Sequence, residues 1–118
     1  MVDRARIRLL DILDAMARVE RHIRGVDLEN FRSDKDKQWL IERGVEIISE
    51  ASRHLPQPMI DAHPAIPWRD IRDIGNRLRH AYDQLDAGIL WTVACVRLPE
   101  LKPVIKAMLA SLDNKKSS

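Results

Sequence analysis

At 118 residues, the chain has the length of a single domain. Its formal net charge of only +2 gives no general indication of nucleic-acid binding, and its single cysteine, Cys95, excludes an intramolecular disulfide. It has no apolar run of about 18 residues and no secretion-signal pattern at its start, so no membrane span is predicted and the cytoplasm is the expected location.

Apolar residues recur at three- and four-residue intervals, which predicts an all-α fold, an antiparallel bundle of four to five helices. The first helix is predicted over residues 3–24, with Gly25 as its stop. A short connector follows, and Asp34 is a suitable N-cap for a second helix that runs to about His54. The first half of the chain therefore supplies two long amphipathic helices.

Four of the six prolines lie within residues 56–67, and this composition predicts a stiff connector without helix. A third helix should begin at Trp68 and continue to about Leu85. A fourth helix is expected from about Asp86, and Pro99 is expected to open the last one. The domain is predicted to span residues 1–114, followed by a frayed tail at residues 115–118.

The third helix carries the side chains that are best suited to catalysis or ligand binding. Asn76 and His80 are four residues apart and share a face. Arg72 and Arg79 flank Gly75 by three and four residues and form a neighbouring stripe, where the glycine is expected to leave room for a ligand. A concentration of arginines over residues 69–79 can hold phosphate even though the whole chain is nearly neutral.

These groups suit RNA cleavage without a metal. A histidine with a pKa near neutrality can take the proton of a ribose 2′-hydroxyl as that oxygen attacks the adjacent phosphate. Guanidinium groups can neutralise the charge that develops on the phosphoryl oxygens, and Asn76 can orient the phosphate or the imidazole. From spacing alone, a solvated helix face with an ordinary surface histidine is the alternative.

The stretch IPWRDIRDIGNRLRHAY, residues 66–82, resembles the signature region of HepT-like proteins, a branch of the HEPN domains. The segments RIRLLDILDAM, VEIISEA and LPEL, at residues 6–16, 45–51 and 98–101, fall where that family has similar patterns. The resemblance covers nearly the whole chain. It implies a HEPN-type helical bundle that forms a homodimer, in which two copies of the motif meet at a shared cleft.

The resemblance further implies an RNase toxin of a toxin–antitoxin pair. Its partners would be RNA and a minimal nucleotidyltransferase antitoxin, which silences such toxins by transferring AMP to the motif tyrosine, here Tyr82. An adenylyl group beside His80 would add bulk and negative charge, and it would compete with RNA phosphate for the arginines.

One position departs from the family motif. His80, Tyr82 and the polar residue Asn76 match it, but Gly75 stands where the motif has arginine. Either Arg72 or Arg79 reaches the vacant place, or catalysis is impaired, and Gly75→Arg is expected to restore the pattern. The alternatives are a weakly active or inactive HEPN dimer that binds RNA, nucleotide or its transferase partner, and a purely structural dimerisation module.

Other chemistry-bearing residues have plainer interpretations. Glu50, where the family also favours glutamate, is expected to support His80 from across the bundle, whereas Glu46 belongs to a solvated face. The remaining His, Asp and Cys residues form no recognised metal pattern, so neither a metal nor a cofactor is expected. Three tryptophans are predicted to anchor the core or a dimer interface: Trp39, Trp68 and Trp91.

Overall fold

The computed structural model describes the backbone of residues 3–80 and 87–117 and the side chains of residues 3–78 and 87–114. Every regular element within these ranges is helical. Four helices are long: α1 (Arg4–Ile23), α3 (Lys35–Arg53), α5 (Trp68–His80) and α7 (Leu98–Ser117). Three are short: α2 (Leu28–Ser33), α4 (Gln57–Asp61) and α6 (Ala87–Thr92). α1 packs against α3 and α7, and α5 packs against α3, so the predicted all-α bundle is confirmed.

Local sequence signals set the first helix boundaries. Three helices begin at an aspartate whose carboxylate accepts the backbone N–H three residues further on, namely Asp3 for α1, Asp27 for α2 and Asp34 for α3. Gly25 adopts a φ of 74°, a conformation that other residues rarely take, and α1 ends just before it at Ile23. The predicted stop at Gly25 and the predicted cap at Asp34 are therefore both confirmed.

Two segments expected to be connectors form short helices instead. Residues 28–33 form α2, whose last turn is held by buried Gln38; its Nε2 donates to the carbonyls of Phe31 at 2.8 Å and Arg32 at 3.0 Å. The prediction of a non-helical segment over residues 56–67 is wrong at α4. Pro58 lies in the first turn of that helix, where a missing N–H costs no hydrogen bond.

The expected last helix is present: α7 begins at Leu98, one residue before Pro99, but no connector separates it from α6. A π-helical turn, Val93–Arg97, joins α6 directly to α7, and the Leu98 N–H donates to the Val93 carbonyl. Pro99 has no N–H to donate, and its ring crowds the carbonyl four residues earlier, so a widened turn accommodates it within a continuous helical run. Cys95 lies half-buried in this turn, and burial raises the pKa of its thiol.

α3 lies at the centre of the bundle and supplies side chains to the core on one face. A Cβ atom at Gly44 would stand 2.7 Å from Cγ2 of Val19, so the backbones of α1 and α3 approach each other closely at this point. α1 is joined to α7 by an ion pair between Glu20 and Lys102 at 2.9 Å. The largest fully buried apolar side chains come from α1, α2, α3, α6 and α7: Leu9, Ile12, Met16, Val19, Phe31, Ile41, Val45, Ile48, Leu90, Leu101 and Ile105.

The three tryptophans occupy different environments. Trp68 is 7% exposed, and its Nε1 donates to the His63 carbonyl at 3.0 Å. Trp91 is half-buried with its ring 5.2 Å from that of Phe31, whereas Trp39 on α3 is 77% exposed. The core prediction is thus confirmed for Trp68, and Trp39 remains a candidate interface anchor. None of the described helices combines the length and apolar character of a membrane span.

Glu42 is a half-buried carboxylate on α3. Burial raises the pKa of Glu42 above its ordinary value, the nearby charge of Glu46 raises it further, and Lys35 partly offsets both effects. The charged form is therefore penalised in the folded chain. That penalty is fully present above the raised pKa and disappears once the pH falls below the value of the unfolded chain.

Glu42→Gln should therefore stabilise the fold at pH 7, by up to about 0.5 kcal/mol after solvent screening. The gain should vanish as the pH falls toward about 4, where glutamate is protonated in both states. Urea unfolding across this pH range measures it, with Asp73→Asn, an exposed carboxylate on α5, as the control. An equal gain at both ends of the range would contradict this account of Glu42.

Candidate functional site

α5 carries the predicted site, and its two sides differ sharply in polarity. The helix begins after Pro67, whose carbonyl accepts the Ile71 N–H at 3.1 Å. Trp68 is buried, and the half-buried side chains of Ile71, Ile74 and Leu78 pack against the core. Because these residues recur every three or four positions, they fix which side of α5 faces the bundle.

The opposite side of α5 is polar and exposed. Asn76 is exposed, as are Arg69, Asp73 and Arg77, while Arg72 is half-buried at the boundary between the two sides. Asn76 therefore lies where a ligand from solvent can reach it. The amide–guanidinium part of the predicted constellation is present on one accessible flank of the helix.

Gly75 faces α3, not a ligand pocket. It is buried, and a Cβ atom at this position would stand 2.5 Å from the Oγ of Ser49 and 2.9 Å from its Cβ. The Gly75 N–H donates to that hydroxyl oxygen at 3.2 Å. The expectation that the glycine leaves room for a ligand is therefore wrong, since Ser49 of α3 occupies the space and a larger residue would separate the two helices.

The Arg72 carbonyl forms the second part of the α3–α5 contact. It accepts hydrogen bonds from the Ser49 hydroxyl at 2.9 Å and from Nη2 of Arg53 at 2.6 Å. Ser49 pairs with Gly75 while Arg53, four residues later, pairs with the earlier Arg72, so α3 and α5 run antiparallel. Three hydrogen bonds thus hold one turn of α5 at a fixed position on α3.

The guanidinium of Arg72 is partly enclosed at this contact. Its Nε is buried and has no hydrogen-bond partner within the described part of the chain. A buried N–H without an acceptor is costly, typically about 1–3 kcal/mol. Of the two arginines in the predicted set, Arg72 is the one whose side chain the structure describes.

The remaining predicted residues are placed in part. Arg79 and His80 are the last described residues of α5, and their side chains lie outside the described residues, as do Tyr82 and the expected continuation of this helix to about Leu85. Glu50 is exposed on α3, where its Oε1 lies 3.0 Å from Nε2 of His54. The predicted roles of these four residues stay predictions. In the described ranges, no group of three or more His, Cys, Asp or Glu side chains could hold a metal ion.

Comparison with known proteins decides the family. The family model described as ribonuclease HepT-like matches residues 12–108, a range that includes α3, α5 and the whole predicted motif. The chain belongs to the ribonuclease HepT-like family. The resemblance drawn from the sequence motifs is thereby confirmed.

Individual relatives agree with this assignment. The chain is 37% identical over 94 residues to a protein of Thermococcus cleftensis named "Probable ribonuclease HepT", covering 80% of this chain and 86% of that one. It is 31% identical over 87 residues to a Caldanaerobacter subterraneus protein, covering 74% of this chain and 78% of that one. It is 29% identical over 110 residues to a Methanocaldococcus jannaschii protein, covering 90% of this chain and 91% of that one. The names of both propose RNase activity. No solved structure matches the chain significantly.

Two residues of this region were missed by the sequence interpretation. Ser49 lies in an apolar stretch of α3 and Arg53 in its last turn, where a basic residue usually interacts with its own helix end. A possible signal for Ser49 was the combination of a small polar residue in one helix and a glycine in the next, which permits a close helix contact. No pattern within α3 alone indicated that Arg53 bonds to α5.

Gly75→Ala should lower the free energy of unfolding by about 1–3 kcal/mol, because the added methyl group meets Ser49. Gly75→Arg should also destabilise the chain and should not restore a family pattern. In a Ser49→Gly background, Gly75→Ala should cost less than about 0.5 kcal/mol, since the obstructing side chain is gone and alanine favours helix. Urea unfolding of the four variants measures this coupling. An equal cost in both backgrounds would contradict the contact.

Proposed function

We propose that this chain cleaves RNA without a metal at a site on the exposed side of α5. His80 moves the proton, Arg72 and Arg79 bind the phosphate, and Asn76 orients it. The observation that carries the proposal is the accessible polar flank of α5, which presents Asn76 beside Arg72, in a stretch that the ribonuclease HepT-like model matches. The names of the relatives, which refer to ribonuclease activity, support the same reaction class.

The proposed reaction uses the ribose 2′-hydroxyl as its nucleophile. His80 accepts the hydroxyl proton while that oxygen attacks the adjacent phosphorus, and the P–O5′ bond breaks. The leaving 5′-oxygen takes up a proton from water, so the products are a 2′,3′-cyclic phosphate and a 5′-hydroxyl. Arginine is suited to the phosphate because its planar guanidinium donates two parallel hydrogen bonds and keeps its charge.

The regulation we propose is AMP transfer to Tyr82 by a nucleotidyltransferase antitoxin, with the chain acting as the toxin in the cytoplasm. Its support is the motif itself, in which Tyr82 follows His80 by two residues. An adenylyl group on this hydroxyl would bring a phosphate next to the residues proposed to bind RNA, so RNA and the modified side chain would compete for the same arginines.

One observation favours a second candidate function, a HEPN-type dimer that binds RNA, nucleotide or its transferase partner without cleaving. Gly75 replaces the motif arginine, and its contact with Ser49 leaves no space for a side chain. A chain without this guanidinium loses one source of transition-state stabilisation. The two functions differ in whether RNA is cut, which a cleavage assay decides.

We also propose that the chain forms a homodimer through the outer face of α1 and α3; that two copies of the motif meet in a shared cleft stays a prediction of the family resemblance. A groove of about 670 Å³ lies between these helices, beside the exposed ring of Trp39, and its apolar lining comes from Ala15, Val19, Leu40, Gly44 and Ile47. Charged residues of both signs also line it. The acidic ones are Asp11, Asp14 and Asp36, and the basic ones include Arg18, Arg21 and Arg43.

This mixture of charges favours a second copy of the chain as the occupant. A two-fold dimer pairs a patch with itself, so a self-complementary patch must carry both acidic and basic groups. Asp11, Arg21 and Asp36 have no ion pair within the described part of the chain and can pair across such an interface. An exposed tryptophan flanked by arginine is typical of residues that dominate interface energetics.

His80→Ala should reduce RNA cleavage by about 10²–10⁴-fold, the usual contribution of a positioned acid or base. The assay uses purified chain and single-stranded RNA with EDTA present. His63→Ala, a histidine of the α4–α5 loop, is the matched control and should leave the rate unchanged. Equal cleavage by the parent and His80→Ala chains would overturn the proposed role, and no cleavage by an unmodified parent chain would favour the binding function.

Trp39→Ala should weaken dimerisation at least about tenfold, since an anchoring tryptophan typically contributes more than 1.4 kcal/mol. Sedimentation equilibrium over a concentration series measures the dissociation constant. Val96→Ala removes an exposed apolar side chain from the π-helical turn and should have no effect. A monomeric parent chain would overturn the dimer, whereas an unchanged constant in Trp39→Ala would overturn this choice of surface.

A further inference from the structure

Arg53 bonds to a helix other than its own. It is the last residue of α3 and is exposed, and its Nη2 donates to the Arg72 carbonyl of α5 at 2.6 Å. A basic residue in the last turn usually interacts with the free carbonyls of its own helix end. Here the guanidinium is instead fixed over the α3–α5 seam, and its remaining N–H groups are available to a ligand.

Two cations at this seam have no counter-charge among the described residues. Neither Arg53 nor Arg72 has a carboxylate within ion-pair distance in the described residues, and Nε of Arg72 is buried without an acceptor. Glu50, three residues before Arg53, bonds to His54. The Arg53 guanidinium thus lies against the backbone of Arg72, and an anion bound at this seam would meet positive charge from both helices.

We propose that Arg53 is a phosphate-binding residue supplied by α3, and that it holds an RNA backbone phosphate together with Arg72 at the α3–α5 seam. This rests on the proposed action on RNA and adds a residue that the motif in α5 does not contain. Phosphodiester oxygens match the guanidinium fork in geometry and charge. Because the Arg72 carbonyl already orders Arg53, little side-chain freedom remains to be lost on binding.

The seam also accounts for an RNA site without an arginine at position 75. Gly75 cannot supply this cation. It comes instead from Arg53 of α3, four residues after Ser49, whose side chain leaves no space for an arginine at position 75. Ser49 and Arg53 lie one turn apart on α3, so one stretch of this helix both holds α5 and carries the additional charge.

The test measures RNA binding separately from cleavage. In a His80→Ala chain, fluorescence anisotropy with a short single-stranded RNA is recorded over a series of salt concentrations. Arg53→Gln should weaken binding several-fold and lower the slope of log affinity against log salt by about 0.7, the value for one phosphate contact on a single strand. Arg53→Lys keeps the charge and should retain the slope. Thermal unfolding should show that both variants remain folded, although Arg53→Gln gives up one of the three α3–α5 hydrogen bonds.

Arg97→Gln is the matched control, because Arg97 is an exposed arginine paired with Glu100 on the π-helical turn. A smaller slope of log affinity against log salt in Arg53→Gln, but not in Arg97→Gln, would support the assignment. Equal salt slopes in the His80→Ala chain with and without Arg53→Gln would overturn the assignment while leaving the proposed RNA site intact. If the parent chain binds no RNA at any salt concentration, both the site and the proposed function fail.

Discussion

The contact of the Ser49 hydroxyl with the backbone of α5 determines the geometry of the candidate site. This single oxygen accepts the Gly75 N–H and donates to the Arg72 carbonyl, so it fixes both the distance and the register between α3 and α5. The contact exists only because position 75 has no Cβ. A similar close approach at Gly44 joins α3 to α1, so α3 packs closely on two sides, against α1 at its own Gly44 and against α5 at Gly75 of that helix.

This packing explains why position 75 is glycine and not the arginine that the motif resemblance led us to expect. Where the motif has arginine, a close helix contact has taken the position, and a charged side chain there would have to displace α3. The exposed flank of α5 is nevertheless retained, since the apolar side of the helix still faces the core through Ile71, Ile74 and Leu78. We propose that such a site draws its positive charge from residues beside the contact, namely Arg72 and Arg53.

Periodicity and caps were sufficient to predict the long elements from the sequence. Asp34 and Gly25 marked helix boundaries correctly because a cap depends on a few neighbouring residues alone. α4 and the π-helical turn were not predicted, since prolines indicate where a regular helix is costly but not how the chain accommodates them.

The candidate site was predictable to a smaller extent. The spacing of Arg72, Gly75 and Asn76 showed which side chains share a flank of α5, but it could not show which flank the next helix covers. Gly75 was therefore interpreted as space for a ligand, although Ser49 occupies that space. Arg53 is distant in sequence from the motif and becomes relevant only through the antiparallel packing of α3 and α5.

The most direct test of the central claim, RNA cleavage by the exposed flank of α5 through an internal nucleophile, is the chemistry of the product ends. A single-stranded RNA is compared with the same oligonucleotide carrying a 2′-deoxy residue at the cleaved position, in EDTA. We predict 2′,3′-cyclic phosphate and 5′-hydroxyl ends from the RNA and no cleavage at the deoxy position. Products with 5′-phosphate ends, or cleavage of the deoxy substrate at the same position, would show that water is the nucleophile and would contradict the account.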